Sequence, residues 1–123
     1  LAAAEQKAAN RLTEAERKAA VKRAAQMLAE KTAHFAKEMG VTYGRITIRE
    51  LKTRWGSCSS AGNLNYNWKL VLMPERVMDY VVIHELAHQK EMNHSARFYA
   101  VVAQQMPDYK VWQSWLKEHG REY

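Results

Sequence analysis

The chain has 123 residues, 47% of them hydrophobic and four of them tryptophan, enough for one folded domain and too apolar for a disordered chain. A formal charge of +6 favours anionic partners in general, yet the Lys and Arg residues are spread along helical segments with Glu among them, so nucleic acid is permitted but not indicated. One cysteine, Cys58, excludes an intrachain disulfide and fits a reducing, cytoplasmic compartment, and no apolar run approaches the roughly 20 residues of a membrane span.

Residues 1–12 are Ala-rich and polar with weak periodicity, and begin with Leu1 rather than Met. They are expected to be flexible or cut from a longer chain, ahead of a single domain spanning 1–123. Thr13 with Glu16 forms a capping box. Val21, Ala24, Leu28, Phe35 and Met39 then recur at helical spacing, and Gly40 supplies a C-terminal stop. One long amphipathic helix is predicted over 14–39. Arg45-Ile46-Thr47-Ile48-Arg49 alternates apolar and polar and reads as a strand. Trp55–Cys58 and Asn63–Asn67 flank Ser59-Ser60-Ala61-Gly62, where Gly62-Asn63 provides turn chemistry, so a hairpin is expected. Trp68–Met73 reads as a further strand. Pro74 suits the first position of a helix through the apolar run Tyr80–Ile83. Ser95 is an N-cap for 96–105, and Met106-Pro107-Asp108 breaks that helix. A last helix over 110–118 carries Trp112, Trp115 and Leu116 and stops near Gly120.

The most specific pattern is His84-Glu85-Leu86-Ala87-His88, with His94 six positions on. Residues four apart share a helix face, so His84 and His88 present two imidazoles to one metal ion. Glu85 lies beside them within reach of a metal-activated water, whose pKa zinc lowers from about 15.7 to about 7. A catalytic zinc takes three protein ligands and keeps one position open. His94 is the candidate third ligand, provided the chain turns after about Met92; Asn93, tolerant of the left-handed conformation, suits that turn. Glu91 and Glu118 are alternative third ligands. The spacing equals that of metzincins, with Glu91 where those have Gly. His34 and His119 read as peripheral, Met106 as core, and Cys58 as a small core residue rather than a thiolate ligand.

Thr53-Arg54-Trp55-Gly56-Ser57-Cys58, Leu64-Asn65-Tyr66-Asn67-Trp68, the His84–His88 motif and Asn93-His94-Ser95-Ala96-Arg97-Phe98 together closely resemble the YgjP-like metallopeptidase domain. That family is similar to the SprT-like and WLM proteases of the zincin group. The resemblance covers residues 45–120, and its Arg-Trp-Gly-Ser-Cys element distinguishes it from other zincins. It implies an α+β, zincin-like core, zinc held by His84, His88 and His94, and Glu85 as catalytic acid and base. It also implies additional N-terminal sequence in most members.

The expected fold is therefore α+β: a long N-terminal helix, a small antiparallel sheet of three to four strands, the motif helix and C-terminal helices. The expected function is zinc-dependent hydrolysis of peptide bonds in peptides or unfolded proteins, with no membrane association. Arg54, Trp55, Gly56 and Ser57 are candidates for holding substrate backbone by strand addition. Arg97, Tyr99 and Tyr109 are candidates near the reacting carbonyl. Hydrolysis of nucleotide phosphoanhydrides is the alternative, and it lacks both a Gly-rich phosphate loop and acidic Mg²⁺ ligands. A basic nucleic-acid-binding module with structural zinc comes third, because such zinc normally needs four ligands, usually with Cys.

Overall fold

The computed structural model describes residues 7–123. Of the segment 1–12, residues 1–6 lie outside the described residues. Ala8–Arg11 form a 3₁₀ turn with Ala9 buried, and Leu12 packs on the core, so residues 8–12 belong to the folded body.

The long helix, α1, runs Glu14–Met39. Its start follows from local chemistry: the Thr13 hydroxyl accepts from the Glu16 amide at 3.1 Å and the Glu16 carboxylate accepts from the Thr13 amide at 2.8 Å. It ends where Gly40 adopts φ 68°, a left-handed conformation that costs glycine little. Ala20, Ala24, Leu28, Thr32 and Ala36 form its buried stripe. The small residues in that stripe let the rest of the chain approach closely.

Three short strands follow: β1 (Ile46–Arg49), β2 (Gly56–Cys58) and β3 (Leu64–Asn67). The sheet order is β1-β3-β2. The β2–β3 hairpin is antiparallel as expected, but β1 pairs with β3 in parallel, Ile46 opposite Leu64 and Arg49 opposite Asn67. The sheet is thus mixed rather than antiparallel. Residues 50–55 make the reversal that returns the chain on the far side of β3, and one buried side chain fixes them. Asn67 donates from Nδ2 to the Leu51 and Arg54 carbonyls at 2.9 and 3.2 Å, and its Oδ1 accepts from the Lys69 amide. That last bond also turns the chain away from a fourth strand. Trp68–Leu72 is a 3₁₀ helix capped by Asn67, with Trp68 and Leu70 buried. The Trp68 indole donates to Glu50, which also pairs with Arg17, and the Arg17 guanidinium lies 5.0 Å over the Trp68 ring.

The motif helix, α2, spans Glu75–Ala87 and is buried along most of its length. It packs on α1 and on β2. The polar contacts inside this core are paired: the Thr32 and Tyr66 hydroxyls lie 3.0 Å apart, and Lys31 reaches Asp79 at 2.6 Å. Burial holds the Tyr66 phenol well above its ordinary pKa. Helix α3 (Ala96–Gln105) begins at the Ser95 hydroxyl, which accepts from the Phe98 amide. Helix α4 (Tyr109–His119) closes the structure, and Gly120–Glu122 follow as a 3₁₀ turn. No helix of the described residues is long and apolar enough to cross a membrane.

Candidate metal centre

Three imidazoles meet at the end of α2. The ligand atoms of His84, His88 and His94 all lie within 4.8 Å of one another. His84 sits in α2, and His88 caps it with φ −65° and ψ −16°, so the helical spacing that aligns the two persists one residue past the helix. The chain then turns at once, the Gln89 amide donating to Leu86 and the Lys90 and Glu91 amides to Ala87. This turn comes earlier than the expected break after Met92. It also needs no left-handed Asn93, since no described residue other than glycine has positive φ. His94 is carried back over the helix end and stands just before the Ser95 cap.

The hydrogen bonds fix which nitrogens face inward. His88 Nδ1 lies 3.1 Å from the Glu91 carbonyl, and His84 Nδ1 lies 3.2 Å from Glu85 Oε2. The tautomers that make these bonds donate from Nδ1 and leave each Nε2 as a lone pair. Such an outer partner on a ligating imidazole sets its tautomer and ring orientation. His88 Nε2 and His94 Nε2 are 3.1 Å apart. At that distance the Nε2–H tautomer of His94 donates to His88, whereas its Nδ1–H tautomer turns both Nε2 lone pairs to one cation. Two ligands about 2.05 Å from a tetrahedral zinc stand about 3.3 Å apart, so the residues fit such an ion. Partial desolvation, and then His84 and His88, hold the His94 pKa below its ordinary value, which keeps the ring neutral and able to ligate.

Phe98 is the floor of this site. It is fully buried, stacks on His88 at a centroid distance of 4.5 Å, and meets His84 and His94 edge-on at 4.9 Å. Its aromatic character at helical spacing reads in the sequence as ordinary core, so its place under all three imidazoles was not foreseen. Phe98→Ala is expected to cost about 3–5 kcal/mol of stability and to weaken metal binding, because the rings lose the surface that orients them. Denaturant unfolding and a metal titration of the same variant check both parts. Phe98→Leu, which keeps most of the volume, should do less on both counts.

Glu85 is 5% exposed, yet its carboxylate faces a cleft of about 300 Å³ shared with the three His. The opposite wall is β2 with the residues just before it: Arg54, Gly56, Ser57 and Cys58 line the cleft, and Trp55 lines its continuation past Tyr80 and His84. The sequence-predicted Arg54–Ser57 segment is therefore brought to the imidazoles. Arg97 and Tyr99 are not: neither lines the cleft, Arg97 is exposed, and Tyr99 stacks on Tyr109 with its ring 6.3 Å from that of His94. Glu91 contributes its carbonyl rather than its carboxylate, while His34 and His119 pair locally with Glu38 and Glu122. Cys58 faces the cleft, but burial, and then Glu85, push its thiol pKa up, so it is a poor thiolate donor. Tyr80 was not foreseen. It lies one helical turn before His84, and burial followed by Tyr99 pushes its hydroxyl up to about 12, so it keeps its proton at neutral pH.

Gly56 allows strand and helix to approach. A Cβ there would lie 3.0 Å from Glu85 Cγ, 3.1 Å from Val81 Cγ1 and 3.2 Å from the Asn65 carbonyl. Gly56→Ala is expected to displace the Glu85 side chain and to lower stability by about 1–3 kcal/mol. The unfolding midpoint checks it; a wild-type midpoint would mean that strand and helix yield to the methyl group without cost.

The family model for the YgjP-like metallopeptidase domain matches residues 1–119. The chain belongs to the YgjP-like metallopeptidase family. The match takes in α1, ahead of the motifs that carry the resemblance in sequence. Among solved structures, the chain is similar to the metallopeptidase zymogen abylysin of Pyrococcus abyssi, with a TM-score of 0.66 and 24% identity over 74% of this chain and 93% of that one. It is also similar to the metallopeptidase zymogen jannalysin of Methanocaldococcus jannaschii, with a TM-score of 0.57 and 19% identity over 68% and 90%. At these identities the likeness is one of fold, and it bears out the α+β, zincin-like architecture. No curated protein sequence matches the chain significantly. The chain is a metallopeptidase, and its family implies a divalent metal.

Proposed function

We propose that this metallopeptidase uses zinc, held by His84, His88 and His94, with Glu85 as general base, and that it cleaves extended, unstructured segments of protein. The observation that carries the reading is the convergence of three imidazole nitrogens beside a buried carboxylate, at one wall of an open cleft. Three nitrogen donors without thiolate, open on one side, suit catalytic rather than structural zinc. When bound, zinc supplies Lewis acidity, polarising the scissile carbonyl and bringing the pKa of water down to about 7. Glu85 accepts the proton of the attacking water on its carboxylate and passes it to the leaving amine. His84 Nδ1, 3.2 Å from Glu85 Oε2, holds that carboxylate in place. Strand β2 is at the sheet edge, so its outer backbone is free among the described residues to pair with a substrate strand. Arg54 and Trp55 precede that strand and Ser57 lies within it. A cytoplasmic location belongs to the same proposal and rests on the free thiol of Cys58.

The test strips the metal with a chelator, reloads zinc, and offers a denatured protein mixture and, separately, nucleoside triphosphates. Peptide cleavage should vanish and return with zinc. Cleavage indifferent to the chelator, or pyrophosphate release with no peptide cleavage, would overturn the reading.

A further inference from the structure

Two recesses adjoin the metal cleft, and Arg54 lines all three. The first, of about 220 Å³, is faced by Lys7, Lys52, Arg54, Lys69 and Arg121. The second is faced by Arg49, Lys52 and Arg54 beside Ser57 and Asn65. No Asp or Glu lines either. None of these six cations forms an ion pair among the described residues. Among the described residues, Glu50 pairs with Arg17 and Trp68 and also faces the charge of Lys69, and Glu122 pairs with His119. Cations gathered with no carboxylate in direct contact repel one another, and an anionic ligand relieves them. The walls are fixed: Asn67 holds the Leu51 and Arg54 carbonyls, and the Trp55 ring packs so closely on Gly120 that a Cβ there would lie 3.1 Å from it.

We propose that these recesses form the specificity subsite of the peptidase, receiving an Asp or Glu side chain next to the scissile bond. The inference rests on the peptidase reading above and adds a substrate preference to it. The site suits a carboxylate on a peptide better than a nucleotide phosphate. Phosphate cradles gather converging backbone amides, whereas the loop here turns two carbonyls to Asn67 and offers cations singly from separate chain segments. Trp55, Leu51 and Leu116 add apolar wall against which the methylene groups of a side chain pack. Arg54 and Ser57 line both the metal cleft and the second recess, so the cations adjoin the wall that faces the imidazoles.

The experiment uses the metal-loaded protein and quenched peptides that differ only in carrying Glu, Gln or Lys on either side of the cleaved bond. In one of the two placements, kcat/KM should be roughly fivefold or more higher for Glu than for Lys at low salt, and the gap should narrow as ionic strength rises. The exposed pair Lys52→Gln with Arg121→Gln should lower the ratio, and Lys52→Glu with Arg121→Glu should bring it close to one; a thermal unfolding curve shows that each variant is folded. Equal kcat/KM for Glu and Lys peptides in the wild type would overturn the subsite and leave the peptidase reading intact. Hydrolysis of nucleoside triphosphates with no peptide cleaved would overturn both.

Discussion

Glu85→Gln is expected to retain zinc and to lose peptide hydrolysis by about 10²–10⁴-fold, the range that a positioned general acid–base contributes. The amide has nearly the size of the carboxylate, so a side chain that is only 5% exposed is replaced without a cavity. Its oxygen still accepts a hydrogen bond from His84 Nδ1, now at 3.2 Å from Glu85 Oε2, so the imidazole keeps its orientation. What the amide cannot do is take a proton at neutral pH. Elemental analysis should therefore give the wild-type zinc content, while kcat falls and KM stays close to that of the wild type. Hydrolysis at the wild-type rate would remove Glu85 as the base. Lost zinc would instead show that the carboxylate acts by orienting His84.

The parts of this architecture that were legible in the sequence are those encoded within a few residues. Helix α1 was readable at both ends because a reciprocal cap and a left-handed glycine are local devices. The same holds for the hairpin and for the Ser95 start of α3. The parallel pairing of β1 with β3 was not readable, because it depends on where residues 50–55 lead the chain, and their guide is one Asn67 side chain fixed by tertiary burial. The apolar stretch Trp68–Leu72 has the composition of a strand, and the same Asn67 turns it into a 3₁₀ helix. In the site, His84, Glu85 and His88 follow from helix periodicity. Phe98 and Tyr80 do not, since an aromatic on a helix carries no mark of what lies above it. The cations of the recesses are scattered between positions 7 and 121, so no run of basic residues announces them.

His94→Ala is expected to weaken zinc binding by more than the roughly 10–100-fold that follows loss of an outer hydrogen-bond partner of a ligand, and to abolish hydrolysis at limiting metal. Of the three proposed ligands His94 is the most open to this test, because it is exposed and stands outside α2, between the helix-end turn and the Ser95 cap. Removing its ring leaves the α1–α2 core and the Phe98–His88 stack in place, so the metal-free variant should unfold close to the wild-type midpoint. The same change at His88 is less clean. That side chain is 9% exposed and bonds the Glu91 carbonyl, so its loss would disturb the turn as well as the metal. Zinc stoichiometry and a competitive chelator titration read the affinity directly. Unchanged affinity in His94→Ala would remove His94 from the centre and leave two ligands from the motif helix. The Glu91 carboxylate, three residues upstream on the same turn, would then be the donor to replace next, as Glu91→Gln. A loss of zinc with an unchanged metal-free unfolding midpoint would make the third ligand a property of the loop alone: the helix supplies two nitrogens at fixed spacing, and the turn after His88 decides whether they become a catalytic site.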